Sequence, residues 1–156
     1  MPELELEVAG RGPLEPALRA YAKELGLERA VRFLGHVVPV QRAIERASVV
    51  VVPSLGEGFG MVALEAMERA RPVIAASIGG LGDVVRHGET GLLVPAAEVE
   101  PLARAIAELA RDPERAARMG EAGRRRAEEH FGEARSIDRM EILYRSFLDA
   151  PAQGVG

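Results

Sequence analysis

Residues 48–65 read SVVVVPSLGEGFGMVALE: an apolar run, a proline, a glycine-spaced loop and the first residues of a helix. The valines between Ser48 and Pro53 show no polar alternation, which suits a parallel strand covered on both faces. Such a strand is expected at the centre of its sheet. Gly58 and Gly60 then allow a sharp turn, and from Met61 the apolar residues recur with helical spacing to Ala70. Strand, glycine loop and helix make up the repeating unit of an open α/β sheet.

The same alternation extends both ways. Leu4 to Val8 alternates with period two before Gly10 and Gly12, so a strand is expected there. Leu14, Ala17, Leu18, Tyr21 and Leu25 recur at helical steps, with Gly26 as the C-terminal stop. Val31 to Leu34 reads as a second strand and Val40 to Ala47 as a short amphipathic helix. Downstream come strands over Pro72–Ala75 and Gly91–Val94, separated by a short helix over Leu81–Arg86. Beyond Pro95 only helices are expected: Val99–Arg111, Pro113–His130 and Ala134–Asp149, with Asp112-Pro113 as N-cap and first-turn proline. The fold class is therefore α/β, a mostly parallel sheet flanked by helices, with further helices at the C-terminus. Residues 1–150 are expected to form one domain, and residues 151–156 a frayed tail.

Composition narrows the function. The chain has 156 residues, a formal net charge of −4 and no cysteine, which removes disulfides, thiolate metal sites and cysteine nucleophiles. Aromatic content is 4% with no tryptophan, against an aromatic platform for sugars or single-stranded nucleic acid. The acidic balance offers no general attraction to phosphate backbones, so nucleic acid is not an expected partner. No apolar run approaches the ~20 residues of a membrane span, and the start MPELELE lacks signal-peptide character; a cytoplasmic location is expected.

The quoted loop carries the chemistry. A helix that begins at the carboxyl end of a parallel strand aims free N–H groups and the positive end of its dipole at an anion. Backbone amides from about Phe59 to Val62 are thus placed to cradle a diphosphate. Glu57, outside the helix start, suits the vicinal hydroxyls of a sugar, and Glu65, inside the helix, leans back toward a ribose diol. A carboxylate presents two acceptors to the two donors of a diol, and such charge-assisted bonds contribute on the order of 1.5–3 kcal/mol each. A glutamate near a helix N-terminus is also favoured by the dipole alone. The joint spacing is what gives the pair meaning.

LELEVAGRGPLEPALRAYAKELGL, VRFLGHV, ASVVVVPSLGEGFGMVALEAM, RPVIAASIGGLGDVV and GETGLLVP occur here in order. From Leu4 to Leu148 the chain resembles the second, donor-binding domain of the retaining family 4 glycosyltransferases, enzymes with two facing Rossmann-like domains (the GT-B architecture). The resemblance implies that Glu57 contacts the donor sugar nearest the chemistry, that Gly58, Phe59, Gly60 and Met61 line sugar and diphosphate with their backbone, that Glu65 binds the ribose and that the main chain at Val37 meets the base. It implies a nucleoside diphosphate sugar as donor, retention at the anomeric carbon and no metal or other cofactor.

Two departures are small: Asp83 stands where the family pattern has glutamate, and Ala70 where it has glycine. A third is larger. Family members open this domain with a further strand ending in an arginine and a lysine that neutralise the leaving diphosphate, and no such segment precedes Leu4. The resemblance therefore implies an N-terminal acceptor domain supplied in cis or in trans, a chain inactive alone, a gap between the first strand and SVVVVP, and exposed sheet edges that favour homo-oligomers. The competing functions are a non-catalytic nucleotide-sugar binding module and a nucleotide-sugar epimerase-like domain. Elsewhere, Arg124-Arg125-Arg126 reads as a charge-paired helix face beside Glu121, Glu128 and Glu129 in preference to a phosphate or nucleic-acid patch, and Gly79-Gly80 as an ordinary strand-to-helix turn in preference to a second anion-contacting helix start.

Overall fold

The computed structural model describes residues 4–132. The expected helix over 134–149 and the tail 151–156 lie outside the described residues. Within them the chain alternates as β1 (Leu6–Ala9), α1 (Glu15–Glu24), β2 (Val31–Gly35), α2 (Gln41–Arg46), β3 (Val50–Val52), α3 (Met61–Glu68), β4 (Val73–Ala76), α4 (Leu81–Val84) and β5 (Gly91–Val94), then α5 (Val99–Arg111) and α6 (Pro113–Phe131). Every strand pair is parallel, as the alternation requires.

The strands fall into two sheets: β1 pairs with β2, while β3, β4 and β5 pair in that order. The break lies between the first strand and the valine strand, where the gap was expected. It also corrects the reading of that strand. β3 has its apolar residues in the cores on both faces of the sheet, but it is an edge strand, and the central, wholly buried strand is β4. Apolar composition reports which faces are covered; it does not report which edge has a hydrogen-bonding neighbour.

β4 shows how the main sheet is filled. Val73 and Ala75 face a cluster with Ala63, Leu64, Ala66 and Met67 of α3 and Val84 and Val85 at α4. Ile74 faces the opposite way, into Leu92, Val94, Ala105, Leu109, Ala116 and Met119. Successive side chains point to opposite faces, so one short strand serves two cores. α6 closes over α3 through small residues: a Cβ on Gly120 would come within 2.0 Å of the Ala70 carbonyl oxygen, and one on Gly123 within 3.2 Å of Met67. Asp112 starts α6 as expected, its Oδ1 accepting from the Arg115 N–H at 2.9 Å.

The first lobe is different. Gly26 ends α1 with φ +67° as predicted, and Leu27 N donates to Ala22 O at 2.8 Å. Yet Leu14, Leu18, Tyr21 and Leu25 are 47–67% exposed, and Ala22 is the one buried residue of the helix. The helical pattern is correct; no described element covers the stripe. An exposed ion pair, Arg46 to Glu7 at 3.4 Å, links α2 to β1.

Candidate functional site

The loop between β3 and α3 is where the sequence placed the chemistry. Gly60 is the N-cap of α3 with φ +92°, a conformation that favours glycine, and a Cβ there would meet Leu81 at 2.7 Å. Gly58 has no such constraint: it is exposed, and a Cβ would meet nothing within 4 Å. The two glycines therefore differ in role. Gly60 shapes the turn, while Gly58 leaves open space beside the backbone. The first-turn amides of Met61, Val62 and Ala63 are those that an α-helix leaves without an intrahelical acceptor.

Glu57 is half-buried and turned toward the helix start. Its Oε1 accepts from the Gly60 N–H at 3.1 Å and its Oε2 from the Ser54 hydroxyl at 3.5 Å. Sequence reasoning had assigned this acid to a ligand only; here it also closes the loop on itself. Each carboxylate oxygen keeps a further lone pair, so this closure leaves acceptor capacity for hydroxyl groups.

Glu65 lies half-buried on α3, on the flank toward α2, where its Oε1 accepts from Gln41 Nε2 at 3.4 Å. Val37 belongs to the β2–α2 connection that leads into Gln41, and it is half-buried. Phe59 and Met61 are exposed, at 45% and 57%. Glu57 thus marks the mouth of α3, and Glu65 its α2 side. Gln41 escaped sequence reasoning because a single glutamine at the start of a six-residue helix carries no pattern.

A second segment supports the loop from below. Gly80 N donates to Gly58 O at 3.1 Å, and a Cβ on Gly79 would lie 1.9 Å from the Glu57 carbonyl oxygen. A Cβ on Gly80 would lie 2.8 Å from the Phe59 Cα. Gly79-Gly80 is therefore more than a strand-to-helix turn: it is a backbone bed for the residues that carry Glu57. Only tertiary contact reveals that use.

The arginine run divides. Arg124 pairs with Glu121 and Glu128, at 3.1 and 2.8 Å, as expected for a charged helix face, and these hydrogen bonds and charges raise its pKa. Arg126 departs from that expectation. Its Nε donates to Val84 O at 3.0 Å and its Nη2 to Asp83 O at 2.6 Å, and its guanidinium lies 5.5 Å from the Phe131 ring centre. Burial, and then the neighbouring Arg86, push its pKa below the ordinary arginine value.

Away from the loop, Leu93 N donates to His87 Nδ1 at 3.0 Å, a structural use of that histidine. A hollow of about 150 Å³ is lined by Arg86, Glu89, Ala122, Arg125, Arg126, Glu129 and His130, but no residue of the β3–α3 loop lines it. Among the described residues no three His, Asp or Glu side chains group as metal ligands. No described helix is long and apolar enough to cross a membrane.

The family model described as "Glycosyl transferases group 1" matches residues 1–126. The chain belongs to the group 1 glycosyl transferases. Among curated relatives, Bacillus subtilis EpsD is 34% identical over 149 residues, covering 96% of this chain and 39% of EpsD. The D-inositol 3-phosphate glycosyltransferase of Corynebacterium aurimucosum is 41% identical over 125 residues, 79% of this chain and 30% of that protein. Anabaena HepE, solved in complex with UDP, superposes with a TM-score of 0.87 at 26% identity over 94% of this chain and 42% of HepE. Sucrose-phosphate synthase of Thermosynechococcus elongatus superposes at 0.82, with 35% identity over 96% of this chain and 39% of that one. The group 1 chain thus spans about two fifths of these solved proteins, and its fold is the C-terminal half of the GT-B architecture.

Proposed function

We propose that residues 1–150 act as the donor-binding unit of a retaining glycosyltransferase, which moves a sugar from a nucleoside diphosphate sugar to an acceptor hydroxyl. One observation supports this above the rest: α3 opens at an exposed glycine loop whose Glu57 carboxylate sits at the helix mouth, with Glu65 on the adjoining flank. HepE, which shares the fold at 27% identity, was solved with UDP-glucose, a ligand of the same chemistry.

In this assignment Glu57 meets the sugar and is the catalytic residue, since it stands nearest the bond that breaks. The backbone of Gly58, Phe59, Gly60 and Met61 lines the sugar and diphosphate. Glu65 takes the ribose diol, and the main chain at Val37 meets the base. Phosphate charge is met by amides and the helix dipole rather than by a resident metal. A facing acceptor-binding domain completes the cleft, in cis or in trans, and the 156-residue chain by itself is expected to transfer no sugar. Stabilising the leaving diphosphate is a large part of such a reaction, with single donors worth about two to three decades in rate.

Calorimetry with UDP, GDP and ADP and their glucose conjugates tests the division of labour. Glu65→Ala should weaken free nucleotide and sugar nucleotide alike, whereas Glu57→Ala should spare the free nucleotide. Glu57→Gln keeps an acceptor for the Gly60 N–H and so separates loop closure from charge. Equal losses of both ligands in both alanine variants would end the assignment. Turnover by the chain alone would show that catalysis needs no second domain.

A further inference from the structure

The loop that carries Glu57 has few attachments of its own. Leu55, Gly56, Gly58 and Phe59 are exposed, and both hydrogen bonds of the Glu57 carboxylate are internal to the loop. Among the described residues, two ties to the rest of the molecule stand out. One is the Gly79–Leu81 segment, through Gly80 N to Gly58 O and through Leu81 against Gly60. The other is Phe131, on which the Phe59 ring stands edge-to-face, with centroids 5.8 Å apart and planes at 76°.

Both attachments lead to the end of α6. The Gly79-Gly80 turn opens α4, whose last carbonyls, of Asp83 and Val84, are held by Arg126. Arg126 in turn lies over the Phe131 ring. Phe131 is half-buried and also packs on the core cluster that includes α3, so the ring that meets Phe59 is anchored in the core. We propose that Phe131, backed by Arg126, is a positioning residue for the Glu57 loop and sets where that carboxylate stands relative to a donor sugar. Phe131 touches no ligand in this scheme; it acts through Phe59. The role in donor recognition rests on the function proposed above, but the mechanical claim does not.

Two measurements on the 156-residue chain separate those parts. The first is hydrogen–deuterium exchange without ligand, in the native chain, Phe131→Ala, Phe131→Tyr and Arg126→Lys. The Gly60 amide, the hydrogen-bonded one among residues 54–60, should exchange about fivefold faster in Phe131→Ala, the scale of one lost aromatic pair, while β4 and β5 keep their rates. Tyrosine, which retains the aromatic ring, should restore the native rate. Arg126→Lys, which cannot fork to two carbonyls, should loosen residues 81–84 and, to a smaller degree, 54–60. Unchanged loop exchange in Phe131→Ala, or equal acceleration throughout β4 and β5, overturns the positioning role.

The second measurement is binding of UDP and UDP-glucose. Phe131→Ala should raise the dissociation constant for UDP-glucose about fivefold while leaving that for UDP near its native value, with recovery in Phe131→Tyr. Parallel losses for both ligands would overturn the link to the sugar. A native chain that binds none of UDP, GDP, ADP and their glucose conjugates defeats the donor assignment, and the exchange experiment still decides whether Phe131 holds the loop.

Discussion

β1–α1–β2 and β3–α3–β4 are the same strand, helix and parallel strand, yet they use their helices in opposite ways. α3 buries Ala63, Leu64, Ala66 and Met67 beneath α6 and against β4. α1 carries an equally regular stripe, Leu14, Leu18, Tyr21 and Leu25, and leaves it in solvent. Its polar side is well furnished: Glu15 pairs with Arg19 at 2.8 Å, and Arg19 lies 4.6 Å from the centre of the Phe33 ring. In α1 the side that meets β2 carries Arg19 and the helix buries Ala22, so amphipathic spacing marks an apolar face without fixing that it is buried. Whether it is buried depends on a second layer, which α6 provides for α3 and no described element provides for α1.

Substitutions graded across the two lobes would break or sharpen that contrast. Met67→Ala, at a fully buried site, should lower the unfolding free energy by roughly 2–5 kcal/mol in urea titration. Gly120→Ala forces a methyl into the Ala70 carbonyl where α6 meets α3, and about 1–3 kcal/mol should be lost, with β4 and β5 amides exchanging faster. Asp112→Ala removes the cap of α6 and should cost about 1 kcal/mol, read as a lower midpoint with the same slope. Leu18→Ala, on the exposed stripe, should change stability by less than about 0.5 kcal/mol. A loss at Leu18 comparable to that at Met67 would mean that the stripe is covered in solution, and the contrast between the lobes would fall.

Much of the fold was legible because its signals are local. Helical spacing placed α5 at Val99–Arg111 to the residue, and Asp112-Pro113 placed the start of α6, since a cap and a first-turn proline act within one turn of chain. Gly26 announced the end of α1 for the same reason. The centre of the sheet was misplaced because β3 and β4 are both apolar, and hydrogen-bonding neighbours leave no trace in a strand's own residues.

The candidate site divides likewise. Glu57, Glu65 and the glycines between them stood out through spacing along one segment. Gln41, Gly79-Gly80, Arg126 and Phe131 did not, because each acts across a gap of tens of residues on a partner that the chain folds back to meet. Arg126 was further hidden among three adjacent arginines, where periodicity predicts solvent and only packing singles one out.

Sequence alone determined the order of elements, the parallel sense of their pairing and the loop that bears the acids, because capping, periodicity and glycine conformation are decided by neighbours along the backbone. Tertiary structure alone decided that β4 is the buried centre, that the described elements leave the apolar stripe of α1 uncovered, and that Glu57 folds onto the Gly60 amide over a bed of two glycines. Those outcomes depend on which surfaces meet, and burial and hydrogen-bond partnership belong to pairs of distant segments rather than to either one.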